Sequence, residues 1–188
     1  MSSSKNYALA LAFFAFLGIL VSLYLTYLHY APLFNLGQGI TCNFGDNLNC
    51  DIVLTSDYSE IFGIPVALIG ALSYLFIFIV AFSLRHAPLN ILRIRQAALL
   101  AVSSFMILFD IYLFYISYFV IQSFCVFCII TYATTITIFL TLLLWRKSLD
   151  VGSLLLSLKA AMNDPFLVKT VGYLLLALLL FILGMMFT

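Results

Sequence analysis

The stretch ALALAFFAFLGILVSLYLTYL, residues 8–28, runs 21 residues without a charge. A helix needs about 20 mostly apolar residues to cross a bilayer. The run exceeds the roughly 7–15 residues of a signal-peptide core, with no small-residue cleavage site after it, so it reads as a true span. The rest of the chain has the same character. Of 188 residues, 65% are apolar and 8% charged, against about 45–50% and roughly 25% in a soluble domain. This excludes a water-soluble globular fold, a disordered chain and a nucleic-acid binder, which would need a basic surface. A polytopic membrane protein remains, with no room for a sizeable soluble domain.

Five apolar segments are predicted to span, at roughly 7–30, 62–84, 97–122, 125–145 and 170–188. In lipid every backbone N–H and C=O must be paired within the element, so these are helices. Lys5, Arg85, Arg93, Arg95, Arg146, Lys147, Lys159 and Lys169 then all fall on one side. The opposite side carries Asp46, Asp51, Asp57 and Glu60 but no basic residue. The positive-inside rule makes the basic side cytoplasmic, with the N-terminus inside and the C-terminus outside. Trp145 marks the inner interface, and Tyr24, Tyr27 and Tyr30 the outer one. Segment 149–162 is apolar but too short to span. It reads as an interfacial amphipathic helix ended by Asn163, Asp164 and Pro165.

The four cysteines, Cys42, Cys50, Cys125 and Cys128, all fall on the outer side, where disulfides persist. Cys125 and Cys128 form a Cys-x-x-Cys at the outer start of the fourth span. On a helix these sulfurs lie one turn apart on one face. A thiolate near a helix N-terminus is stabilised by unpaired N–H groups and the dipole, so it forms at lower pH and reacts more readily. Cys42 and Cys50 lie in the polar outer loop, within reach of a soluble partner. Two dithiols at different depths suggest an electron relay by thiol–disulfide exchange. Two inert structural disulfides explain the same residues, and a four-Cys metal site is only a loose match to zinc spacings. Three connectivities are open.

Three stretches resemble the vitamin K epoxide reductase family: Cys42 and Cys50 with Ser56 six residues further on, Ile-Phe-Gly-Ile-Pro at 61–65, and Phe-Cys-Val-Phe-Cys at 124–128 with Tyr132. The likeness covers about residues 8–147, with the separated loop pair before the Cys-x-x-Cys. It implies an all-α integral membrane fold. A four-helix domain over 1–148, with the outer cysteine loop at 31–61, would surround a quinone. A cytoplasmic interfacial segment at 149–169 and a fifth transmembrane helix at 170–188 would follow. By resemblance, Cys128 faces the quinone and Cys125 is its disulfide partner. Cys50 attacks that disulfide, Cys42 meets the soluble partner, Ser56 lies near the quinone and Tyr132 hydrogen-bonds a quinone carbonyl. Ser59 stands where animal reductases carry Asn, which bears on carbonyl recognition and epoxide reduction. Many bacterial members carry a fused thioredoxin-like domain after the fifth span. The chain ends at Thr188, so its thioredoxin-like donor is expected to be a separate protein.

Spacing bears on Tyr132 independently: Cys125, Cys128 and Tyr132 are i, i+3 and i+7 and share a helix face. A phenol in lipid needs a partner, and a quinone oxygen or a neighbouring helix would serve. Ser56 could equally be a turn or cap residue. Asp110 is an acidic residue within a span, a functional candidate by default. It lies 15 residues before Cys125, roughly 20 Å deep, so a bundle-facing hydrogen-bonding role is expected. His29 is expected to be solvated at the outer interface, and His86 incidental. The expected function is a thiol:quinone oxidoreductase that reoxidises a disulfide-donating partner and reduces ubiquinone, menaquinone or a phylloquinone-like quinone. An epoxide reductase and a non-catalytic disulfide-braced scaffold are the alternatives.

Overall fold

A computed structural model describes residues 2–31, 48–145 and 151–186. Cys42, Asp46, Arg146, Lys147, the first two residues of the 149–162 segment, and Thr188 lie outside the described residues. The helices are α1 (Ser2–Tyr30), α2 (Cys50–Leu54), α3 (Val66–Ser83), α4 (Leu89–Tyr115), α5 (Val126–Trp145), α6 (Val151–Ala161) and α7 (Pro165–Met186). Five stretches are long and apolar enough to cross a membrane: Asn6–Tyr30, Val66–Ser83, Ile91–Ile121, Val126–Trp145 and Pro165–Gly184.

The third and fifth spans begin earlier than sequence suggests. Pro88 precedes α4, and Leu92 N–H bonds its carbonyl at 2.9 Å, so Arg93 and Arg95 ride on the first helical turns. Pro165 opens α7, where its missing N–H costs nothing. Asp164 caps it, Oδ1 accepting from Phe166 N at 2.9 Å. The segment expected to link interface and span is thus partly the span itself.

α1, α3, α4 and α5 form the bundle, with α1 packed mainly on α3 and α5. Lipid is as apolar as leucine, so these helices associate through close packing rather than water exclusion. The buried face of α1 carries small residues, Ala8, Ala12, Ala15, Gly18 and Ser22. A Cβ at Gly18 would stand 2.5 Å from Cδ1 of Tyr74. Glycine there lets the Tyr74 ring, 2% exposed, lie against α1. Tyr7 stacks on Trp145 at 5.7 Å, joining α1 and α5 at the basic end of the bundle. α7 lies at the periphery: 11% of its span is buried against 39% for α1.

One ion pair ties α7 to the bundle. Arg95 Nε donates to Asp164 Oδ2 at 3.3 Å, Nη1 to Ser83 Oγ at 3.0 Å, and the guanidinium lies 4.3 Å from the Phe166 ring centre. Both charged side chains are mostly buried, at 13% and 9% exposure. Removing one partner strands a buried charge. Asp164→Ala, which also deletes a helix cap, is expected to cost about 3 kcal/mol. A lowered midpoint of thermal unfolding in detergent would show this; an unchanged midpoint would mean the pair contributes nothing.

Candidate functional site

The site lies at the end of the bundle opposite the arginines. α4 continues there as a π-helical segment, Ile116–Ile121, stopped by Gln122 in the left-handed region at φ 56°. Such segments recur at functional sites. The chain then runs through Ser123 and Phe124 to Cys125, immediately before α5.

Cys125 caps α5. Its Sγ accepts from Cys128 N at 3.3 Å, filling the place a Ser or Asp oxygen takes at an N-cap. The Cys125 thiol is held below the ordinary cysteine range, first by the hydrogen bond from the Cys128 thiol and then by the Cys128 and Phe127 N–H groups, against the opposing effect of burial. The helix-terminus expectation from the sequence therefore applies to Cys125. Ionisation of reduced Cys125, followed by thiolate ultraviolet absorbance, should run below the free-cysteine pKa of about 8.5. It should move up in Cys128→Ala, where the principal donor is gone. No movement would mean the Cys128 thiol does not support it.

The loop cysteine is brought to this place by backbone pairing. Leu48 forms a parallel bridge with Phe124, and Asn49 N donates to Phe124 O at 3.0 Å. Ser123 Oγ donates to Asn49 O at 3.4 Å. Asn49 also caps α2, its side chain accepting from Ile52 N at 3.2 Å. Cys50 is the next residue, 0% exposed, in one apolar cluster with Cys125, Leu25, Leu28 and Leu54. Cys50 is disulfide-bonded, whereas Cys125 and Cys128 are free thiols. The partner of Cys50 is therefore neither member of the Cys-x-x-Cys.

Beyond α2 the chain caps the bundle. Glu60–Ile61 and Ile64–Pro65 form a two-stranded hairpin whose turn residues, Phe62 and Gly63, both have positive φ. That geometry suits a two-residue hairpin loop. His29 fastens this cap to α1. Nδ1 lies 2.9 Å from Leu54 O and Nε2 lies 3.0 Å from Glu60 Oε1. The expectation of a solvated His29 is thus corrected: it is 8% exposed, because the cap folds over it and supplies both partners.

Beneath the cap is a mainly apolar cavity of about 130 Å³. For scale, a dry cavity of about 150 Å³ admits benzene. Ser56, Ser59, Cys128 and Tyr132 all line it, with Phe105, Phe109, Ile69 and Pro65. Four residues singled out from sequence therefore meet in one space, while Cys125 and Cys50 lie behind Cys128 rather than in the lining. Ser56 Oγ donates to Val53 O at 2.8 Å within the turn, and the residue lines the cavity.

Two lining residues carry more than the sequence reading assigned them. Tyr74 was passed over. Its hydroxyl donates to Thr131 O at 2.9 Å and meets Thr135 Oγ1 at 2.7 Å. The rule applied to Tyr132, that a phenol in lipid needs a partner, would have found it. Asp110 was expected to make a bundle-facing hydrogen bond; its Oδ2 is instead buried without a partner, and the residue lines the same cavity as Cys128.

A helical bundle with a buried dithiol opening on an aromatic-sized apolar cavity defines a class, that of integral membrane oxidoreductases. Residues 9–143 match the model of the vitamin K epoxide reductase family. The chain belongs to that family, whose members are membrane oxidoreductases acting on quinones.

Proposed function

We propose that the protein is a thiol:quinone oxidoreductase that reoxidises a separate thioredoxin-like disulfide donor and passes two electrons to a lipid quinone. What carries the reading is the seating of Cys50 beside Cys125 while Cys128 lines the cavity. Cys50, Cys125 and Cys128 lie opposite the end bearing Arg85, Arg93 and Arg95, which supports an outward-facing, oxidising position under the positive-inside rule.

In this reading a donor thiol attacks the Cys42–Cys50 disulfide at Cys42 and expels Cys50 as a thiolate; the donor's second thiol then closes the donor disulfide and frees Cys42. Cys50 attacks the Cys125–Cys128 disulfide at Cys125 and expels Cys128 as a thiolate. Cys42 then attacks Cys50, closing the loop disulfide and releasing Cys125. Cys125, the readier thiolate, closes the disulfide with Cys128 as two electrons leave through Cys128. The two thiol protons balance the two taken up by the quinol. Ser56, Ser59 and Tyr132 would position the quinone carbonyl, and the cap held by His29 and Glu60 would exclude water.

The test is anaerobic turnover of the purified protein with decylubiquinone and dithiothreitol. One quinol per disulfide is expected. No quinol from folded protein, with menadione also tried, would leave the cysteines as structural braces.

A further inference from the structure

Asp110 is the one described residue with a buried side-chain polar atom, Oδ2, that has no hydrogen-bond partner. A buried unpaired carboxyl oxygen in an apolar span is costly and requires an explanation. Tyr74 and Thr135 do not relieve it: Tyr74 Oη donates to the Thr131 carbonyl at 2.9 Å and Thr135 Oγ1 donates to the same carbonyl at 3.0 Å, so both hydroxyls are engaged elsewhere. A proton on Oδ2 has no acceptor among the described residues, and Asp110 borders the cavity.

Asp110, Cys128 and Tyr132 line one cavity, so a ring seated beside Cys128 has the Asp110 residue in its wall. Resting on the thiol:quinone reading above, we propose that Asp110 is a catalytic acid, hydrogen-bonding a quinone carbonyl and giving it one of the two protons of the quinol. The two electrons come from the Cys125/Cys128 dithiol, which closes its S–S bond. One proton passes from the Asp110 carboxyl to that oxygen, one thiol proton restores Asp110, and the other goes to the second oxygen.

The titratable groups facing Asp110 are Tyr74 of α3 and Cys128 and Tyr132 of α5, with Cys125 within electrostatic reach of Tyr132; Tyr58 and His29 line the same cavity from the cap and α1. The experiment therefore needs a readout specific to the carboxyl. Infrared difference spectra are recorded anaerobically on adding decylubiquinone to the wild type, to Asp110→Asn and to Cys128→Ala, with steady-state kinetics beside them. Expected is a protonated-carboxyl stretch that changes on quinone binding in the wild type and in Cys128→Ala and is absent from Asp110→Asn. Asn keeps the size and a donor but cannot give up a proton. Its kcat should therefore fall about 100-fold while KM for the quinone stays near the wild-type value. The same infrared band in Asp110→Asn, or an unchanged kcat and pH profile, overturns the proposal. If Asp110→Asn does not fold, the wild-type spectrum decides: no quinone-dependent carboxyl band overturns it equally. Turnover lost in Cys128→Ala but kept in Asp110→Asn removes the proposal and leaves the oxidoreductase reading standing. Turnover kept in Cys128→Ala, or absent from the wild type, removes that reading and the proposal with it.

Discussion

Cys128→Ala should lose quinone reduction by about 1,000-fold or more, the scale on which removing a covalent nucleophile acts. Cys128 is the cysteine that lines the cavity. Cys125 is 1% exposed and packed in the cluster behind it, so it cannot take over as the electron exit without moving the start of α5. The N-terminal turn of that helix would resist such a movement, because Cys125 Sγ caps it. The variant removes little volume from a partly buried position and should stay folded, which thermal unfolding in detergent checks. Quinol formation near the wild-type rate would place the exit elsewhere and separate this cavity from the chemistry.

Cys50→Ala should break the relay on the donor side. With a reduced thioredoxin-like protein as electron source, turnover is expected to fall about 100-fold. The physical reason is access. Cys125 is buried under α2, and a protein-sized thiol has no path to it except through the residue already seated there. Dithiothreitol, being small, should still support part of the wild-type rate. The seating can be read directly. In a Cys42→Ala, Cys128→Ala double variant, mild oxidation should join Cys50 to Cys125 intramolecularly, seen in a non-reducing peptide map. The bridge of Leu48 and Asn49 to Phe124 predicts this product. Recovery of both as free thiols would mean the two segments do not bring the sulfurs together. Full turnover by Cys50→Ala with the protein donor would show that electrons enter by another route.

Much of this was legible in the residues, for identifiable reasons. An uncharged run such as 8–28 has one stable state in lipid, because only a helix pairs its own backbone. Eight basic residues fall on one side of five spans, which is the charge pattern on which the topology expectation rests. The Cys-x-x-Cys register on α5 needs only helical periodicity, and it carried Tyr132 with it. Helix starts were less legible. Pro88 and Pro165 are admissible at helix N-termini, and Arg95 and Lys169 looked like loop charges. Their place within α4 and α7 depends on Asp164, which caps one helix and pairs with the other.

What residues by themselves determined is therefore the membrane class, the spans, the family likeness and the face shared by Cys125, Cys128 and Tyr132. All follow from local periodicity, or from charge, which acts residue by residue. The tertiary structure alone decided which side chains meet across helices. It buried His29 between Leu54 and Glu60, set Cys50 against Cys125, and brought Ser56 and Ser59 over Cys128. It also joined Tyr74 to Thr131 and Thr135 across helices and set Asp110 in the wall of the cavity that Cys128 lines. Such meetings depend on how closely α1 and α3 approach, which rests on the missing Cβ of Gly18, and on a loop held to the start of α5 by the Asn49 N–H donating to the Phe124 carbonyl. Neither distance is encoded at any single position, because each arises from packing between segments far apart in the chain.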